Sequence, residues 1–168
     1  MMNTLLMSAT LLAVAVADDL PMTISASHVG RFKGASWYLS VNSAGQAELT
    51  LRNAQHPIRR AFEIPKDELL AFRRSIQKEG FFDLKEKQGG QVPDGSTQSL
   101  TVTIGDRSKT VKVHFLANLL QDKKNKEKLR EPARAVRLMI LVRGWFADAD
   151  AADATPLNQK VLDALEEE

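Results

Sequence analysis

The run Leu100 to Val113, LTVTIGDRSKTVKV, alternates apolar and polar residues on both sides of a Gly-Asp-Arg centre. Side chains of a strand point to opposite faces in turn, so such a run buries one face and leaves the other in water. Placing the turn at Asp106-Arg107 sets Leu100 opposite Val113 and Val102 opposite Val111 on the buried side. Ser99 with His114, Thr101 with Lys112 and Thr103 with Thr110 then share the wet side. A half-solvated hairpin requires an antiparallel sheet with another layer over one face. The polar groups at its tip and edge, Asp106, Arg107, Lys109, Lys112 and His114, are expected to form an exposed ridge and are the candidate binding residues.

A second pair of alternating runs, SWYLSV and AELTL, flanks Asn42-Ser43-Ala44-Gly45-Gln46. A three-residue loop at Ser43-Ala44-Gly45 pairs Val41 with Ala47, Leu39 with Leu49 and Trp37 with Leu51, and places glycine where such loops need a positive φ. Arg59 to Ile64 continues as a third strand, with Phe62 and Ile64 facing one way, which makes a meander. Pro65 then opens a helix, with Asp67 and Glu68 complementing its positive end, and Gly80 stops it. Phe81, Phe82 and Leu84 follow and are expected to plug back into the core, because contiguous exposed apolar patches are uncommon in monomers. A second helix is expected from about Pro132 to Arg143, ended by Gly144 and followed by Trp145 and Phe146. Strands in hairpins with helices between them define an α+β protein: an antiparallel sheet of about five strands, an N-terminal meander plus a C-terminal hairpin, packed with two to three helices.

The N-terminal stretch MMNTLLMSATLLAVAVA carries an apolar run from Leu5 to Val16 and a small-x-small pattern at Ala15-Val16-Ala17, the pattern of a secretory signal cut before Asp18. The expected organisation is a signal peptide at 1–17, a single α+β domain at 18–146, and an acidic linker with an amphipathic helix at 147–168, whose apolar side carries Leu157, Val161, Leu162 and Leu165. A chain of 168 residues with 43% hydrophobic content can sustain its own core without a staple, and it has no cysteine to make one. The missing cysteine removes thiol nucleophiles, thiolate metal sites and redox work. Charge is divided unevenly: residues 1–144 carry 22 Lys and Arg against 14 acids, while residues 145–168 carry one Lys against seven acids.

Sites of chemistry are sparse. The three histidines, His28, His56 and His114, are far apart and lack zinc-helix spacing. Asp148, Asp150 and Asp153 imitate a calcium loop, but Asp153 stands where glycine is required and Gln159 where a bidentate glutamate is required. Ser99 opposite His114 suggests a nucleophile and a base, without the orienting third group or oxyanion hole that a hydrolase needs. Lys123, Lys124, Lys126, Lys128, Arg130, Arg134 and Arg137 could track phosphates, yet no aromatic residue lies among them to stack on bases and acids interrupt them. No glycine-rich phosphate cradle, GxSxG elbow or HExxH is present. Glu63 or Asp94 could act in an acid/base pair, but no spacing selects either.

The order of residues 66–143, a helix ending in Gly80-Phe81-Phe82-Asp83-Leu84, a loop with Asp94-Gly95, the hairpin and a helix started by Pro132, resembles the small bacterial emfourin-like domains. That resemblance implies a proteinaceous inhibitor of thermolysin-type metalloproteases; the lysine-rich segment 121–130, the N-terminal meander and the acidic C-terminal helix depart from it. The expectation is an exported, non-catalytic binding domain, with protease inhibition as one form of it. It would be a monomer with a protein or envelope partner, no nucleic acid, no cofactor, no metal, and no membrane span after signal cleavage. The alternative is a small secreted hydrolase or ligand-binding enzyme whose site is assembled from residues distant in sequence.

Overall fold

The computed structural model describes residues 20–30, 36–52, 57–90, 95–114 and 126–147. The expected signal peptide, His56, Asp94, the aspartates from Asp148 and the expected C-terminal helix lie outside the described residues. The chain is a mixed α/β protein built on a seven-stranded, mostly antiparallel sheet of order β4-β3-β2-β1-β6-β7-β5. The strands are β1 (Met22–Val29), β2 (Ser36–Val41), β3 (Gln46–Arg52), β4 (Pro57–Glu63), β5 (Lys87–Gln88), β6 (Thr97–Ile104) and β7 (Arg107–His114). Two helices, α1 (Lys66–Lys78) and α2 (Lys126–Gly144), and a 3-10 turn at Phe81–Asp83 complete the described elements.

Seven strands replace the expected five because β1 and the short β5 were not apparent from their residues. Met22, Ile24, Ala26 and His28 all point to the covered face of β1, but an alanine and a histidine give a weak apolar signal. Position compensates for composition. β1 pairs with β2 on one side and, from Met22↔Ile104 to Val29↔Thr97, with β6 on the other, so it joins meander and hairpin into one sheet. β5 forms only two pairs, parallel to β7.

The β2–β3 hairpin has the expected register, Val41↔Ala47, Leu39↔Leu49 and Trp37↔Leu51, with Gly45 at φ 87°. In the β6–β7 hairpin the turn falls at Gly105-Asp106 instead of Asp106-Arg107, giving Leu100↔Val111, Val102↔Lys109 and Ser99↔Lys112. Gly105, at φ 55°, is the reason: it takes the left-handed conformation that a tight two-residue turn needs. The shift is two residues along β7, so each side chain keeps its face and the buried set survives.

One face of the sheet is covered. Trp37, Leu39, Val41, Leu49, Leu100, Val102 and Val111 pack there with Phe72 and Ile76 of α1 and Leu129, Val136, Leu138 and Val142 of α2. Aromatics lock the layers: Trp37 meets Phe146 edge-on at 4.9 Å and Phe72 meets Trp145 at 5.0 Å. Phe81 is fully buried and Leu84 nearly so, as expected of residues plugging back after Gly80, which ends α1 at φ 57°.

The second helix begins at Lys126, about two turns before the expected start at Pro132. Proline inside a helix removes a backbone bond and crowds the preceding turn. Two interactions of that turn offset the cost. Leu129 is buried at 2% exposure, worth about 1.5–3 kcal/mol. Glu131 Oε1 accepts from the Lys85 amide at 2.7 Å and from Gln88 Nε2 at 3.0 Å. The Lys85 amide bond, first, and then Gln88 and Lys85 hold the Glu131 carboxyl below its usual range, while burial pulls the other way. No described helix is long and apolar enough to cross a membrane.

Candidate functional site

The opposite face of the sheet carries no covering element among the described residues. Alternation brings Thr23, Ser25 and Ser27 of β1, Tyr38 and Ser40 of β2, Glu48 and Thr50 of β3, and Ser99, Thr101 and Thr103 of β6 onto it. One row across the strands runs Thr50, Tyr38, Ser27, Ser99, Lys112, and the next runs Glu48, Ser40, Ser25, Thr101, Thr110. Serines in the middle of both rows are shorter than the residues flanking them. The result is a trough of about 280 Å³, lined by Ser25, Ser27, Ser40, Ser99 and Thr101, with Tyr38, Glu48 and Thr50 to one side.

Within this face the hydroxyls divide into two sets. Towards β7 they bond one another: Thr101 Oγ1 with Thr110 Oγ1 at 2.8 Å, Thr103 Oγ1 with Ser108 Oγ at 2.9 Å, and Thr97 Oγ1 with His114 Nδ1 at 3.1 Å. Over β1, β2 and the start of β6, Ser25, Ser27, Ser40 and Ser99 make no side-chain hydrogen bond among the described residues. Tyr38 is 43% exposed, and the Arg52 guanidinium lies 5.5 Å from its ring centre.

The five hairpin residues expected to form one ridge are divided by the sheet. Lys109 stands opposite Val102 on the covered side, and Arg107 shares that side and lies 4.4 Å above the Phe82 ring. Lys112 and His114 lie on the open face, and Asp106 is exposed at the turn. Period-two alternation separates 107 and 109 from 112 and 114. The pairing of Ser99 with His114 does not form either: Ser99 faces Lys112, and His114 faces Thr97. Burial, then Lys112 and Lys87, push the His114 imidazole below its usual pKa.

At one end of the covered face His28, Trp37 and Gln98 lie side by side, each at least nine-tenths buried. His28 Nδ1 and Trp37 Nε1 have no hydrogen-bond partner among the described residues. Burial lowers the His28 pKa. Of Arg73 and Arg74, the former is buried and donates from Nη2 to the Leu20 carbonyl, and the latter is exposed. Glu63 is exposed at the end of β4. Among the described residues no three His, Asp or Glu side chains gather as metal ligands.

Fold and site together define an α+β domain with one sheet face filled and the other open, concave and lined by hydroxyls. No family model and no curated protein matches the chain, so the chemistry of this face carries the functional argument. Sequence reasoning missed the trough because its floor is β1; the signal that could have found it is the alternate serines of Thr23-Ile24-Ser25-Ala26-Ser27.

Proposed function

We propose that the protein is an exported, non-catalytic binding domain that meets its partner through the open face of the sheet. The observation that carries this reading is the trough itself: a concavity whose serine hydroxyls make no side-chain hydrogen bond among the described residues and whose described lining has one charged side chain, Glu48. Acid/base or nucleophilic catalysis needs a base within reach of the group it activates. Among the described residues the trough lining offers a single carboxylate and no imidazole or second carboxylate, which favours holding a partner over transforming one. Export is supported by the apolar run before Ala15-Val16-Ala17.

The test is co-sedimentation of the mature protein with isolated cell envelopes. Wild-type protein is expected in the pellet, and a Ser25→Lys, Ser99→Lys double variant, which crowds and charges the trough, is expected in the supernatant. Equal partitioning of the two would remove the open face as the binding surface. N-terminal sequencing of the exported form is expected to begin at Asp18, and an intact Met1 in a cytoplasmic fraction would overturn export.

Protease inhibition is the second form of the reading, supported by the emfourin-like order of residues 66–143 and by the exposed hairpin tip at Asp106, Arg107 and Ser108. Titration against secreted thermolysin-type metalloproteases decides it. Slowing at micromolar concentration supports inhibition, and its absence across the panel ends that form.

A further inference from the structure

We infer that the trough over β1, β2 and β6 binds a neutral polyhydroxylated chain, a glycan; this rests on the open face being the binding surface. Three observations select the ligand class. The first is hydrogen bonding. Each serine hydroxyl offers one donor and two acceptor lone pairs, and those of Ser25, Ser27, Ser40 and Ser99 bond no side chain among the described residues, whereas nearer β7 Thr101 bonds Thr110 and Thr103 bonds Ser108. A ligand that is itself a succession of hydroxyls can match such a floor; an apolar ligand would strand it without partners.

The second is charge. Among the described residues the trough lining holds one charged side chain, the Glu48 carboxylate, which repels an anionic polymer on the floor, while the cations of this face, Arg52 and Arg59 on one side and Lys112 on the other, stand at its margins. A neutral sugar can instead donate a hydroxyl to that carboxylate, and such charge-assisted bonds are the stronger ones. Metal ions are not favoured, because one carboxylate is too few ligands.

The third is shape. A volume of about 280 Å³ lies near the lower end of small-molecule sites, roughly 300–1,000 Å³. It suits a ring or two of a longer chain crossing the sheet. Tyr38 supplies the aromatic surface beside the floor, with Arg52 above its ring. A rigid aromatic ring provides contact area at little entropic cost.

The experiment is a titration of the ¹⁵N-labelled mature protein, followed by amide shifts, with cellohexaose, chitohexaose and maltohexaose, and with hexagalacturonate as the anionic comparison. At least one neutral hexaose is expected to move the amides of Ser25, Ser27, Ser40 and Ser99, with a dissociation constant on the order of 1 mM, as an open, shallow site allows. Tyr38→Ala is expected to weaken binding roughly tenfold and Tyr38→Phe to retain most of it, since the ring is the contact. Ser27→Leu, which fills the floor, is expected to abolish the shifts while leaving the thermal melt within a few degrees of wild type. No trough shift with any neutral hexaose at about 10 mM would overturn the inference. So would hexagalacturonate binding as tightly as the neutral chains, or shifts that persist in Ser27→Leu. Trough shifts that grow with protein concentration alone would assign the face to a second copy of this chain and equally overturn it. If hexaose binding fails while envelope co-sedimentation remains sensitive to Ser25→Lys, Ser99→Lys, the glycan assignment falls and the binding-domain reading stands.

Discussion

The two faces of this sheet are written in the same strands, one residue apart, and they obey different rules. On the covered face Ile24, Leu39, Leu49, Leu100 and Val102 interlock with two helices, each exposed by 2% or less. On the open face Ser25, Ser40, Glu48 and Thr101 meet no second layer among the described residues. Interiors are close-packed, so a lost methylene there is felt at once, while an exposed hydroxyl exchanges protein contact for water at small net cost. The covered face therefore fixes the fold. The open face is free to carry a recognition pattern at little expense in stability, which is where a binding function can be inscribed.

The most direct way to break that contrast is to make a covered residue tolerant. Phe81 is fully buried just past the Gly80 helix stop, with its ring edge-on to Phe82 at 5.7 Å. Phe81→Ala is expected to cost about 3–5 kcal/mol by denaturant unfolding. A cost under about 1 kcal/mol would mean that the segment after α1 is not part of the core.

Next in size is a comparison of the two hairpin glycines. A Cβ on Gly45, at φ 87°, would stand 2.7 Å from the Ile64 carbonyl oxygen, which is backbone and cannot move aside cheaply. The Ile64 amide also donates to the Gly45 carbonyl at 2.9 Å. Gly45→Ala is expected to cost about 1–3 kcal/mol. At Gly105 the added atom would first meet the flexible Leu20 side chain, at 3.3 Å, so Gly105→Ala should cost about 1 kcal/mol, chiefly for the left-handed backbone. Urea midpoints of the two variants would show whether the hairpins differ in this order.

The same glycines show how much was legible. At Gly45 the sequence pattern placed the loop and its register correctly, because a glycine at the positive-φ end of the three-residue loop Ser43-Ala44-Gly45 selects one of the registers, two residues apart, that all keep the six apolar side chains on one face. At Gly105 the alternation was equally clear but compatible with a turn two residues away, since a shift of two preserves every face. The second helix was legible from Pro132 onward and invisible before it, because the burial of Leu129 and the bonds accepted by Glu131 are tertiary events. The open face was least legible. Its trough depends on β1 lying between β2 and β6, a long-range pairing that no local signal encodes.

Acid sharpens the contrast in another way, because the covered face holds a histidine. His28 is 7% exposed, and burial lowers its pKa from the ordinary 6.5. Below pH 6.5 the unfolded chain takes up a proton that the folded chain refuses, so the unfolded state binds more protons and stability falls as pH drops. The loss begins near the unfolded pKa and stops once pH passes the folded one. His114, also lowered, adds to the slope, and Glu131, held low by its bonds, adds a loss at more acid pH. In His28→Leu the fall between about pH 6.5 and 5 is expected to flatten relative to wild type. Parallel stability curves for the two proteins would show that the buried imidazole is not the group refusing the proton.

The smallest effects lie within the open face, and they separate its bonded hydroxyls from its unspent ones. Thr101 and Thr110 share a 2.8 Å bond while half-buried, so Thr101→Val, which keeps shape and removes the bond, should cost about 0.5–1.5 kcal/mol. Ser27→Ala removes a hydroxyl that bonds no described side chain and should change stability by no more than about 0.5 kcal/mol. If Ser27→Ala proved the more costly of the two, the trough serines would belong to the scaffold instead of standing ready for a ligand. If the order holds, the face has a stabilising half next to β7 and a recognising half over β1 and β2. In that case Ser27→Ala, silent in unfolding, is the substitution that should weaken ligand binding.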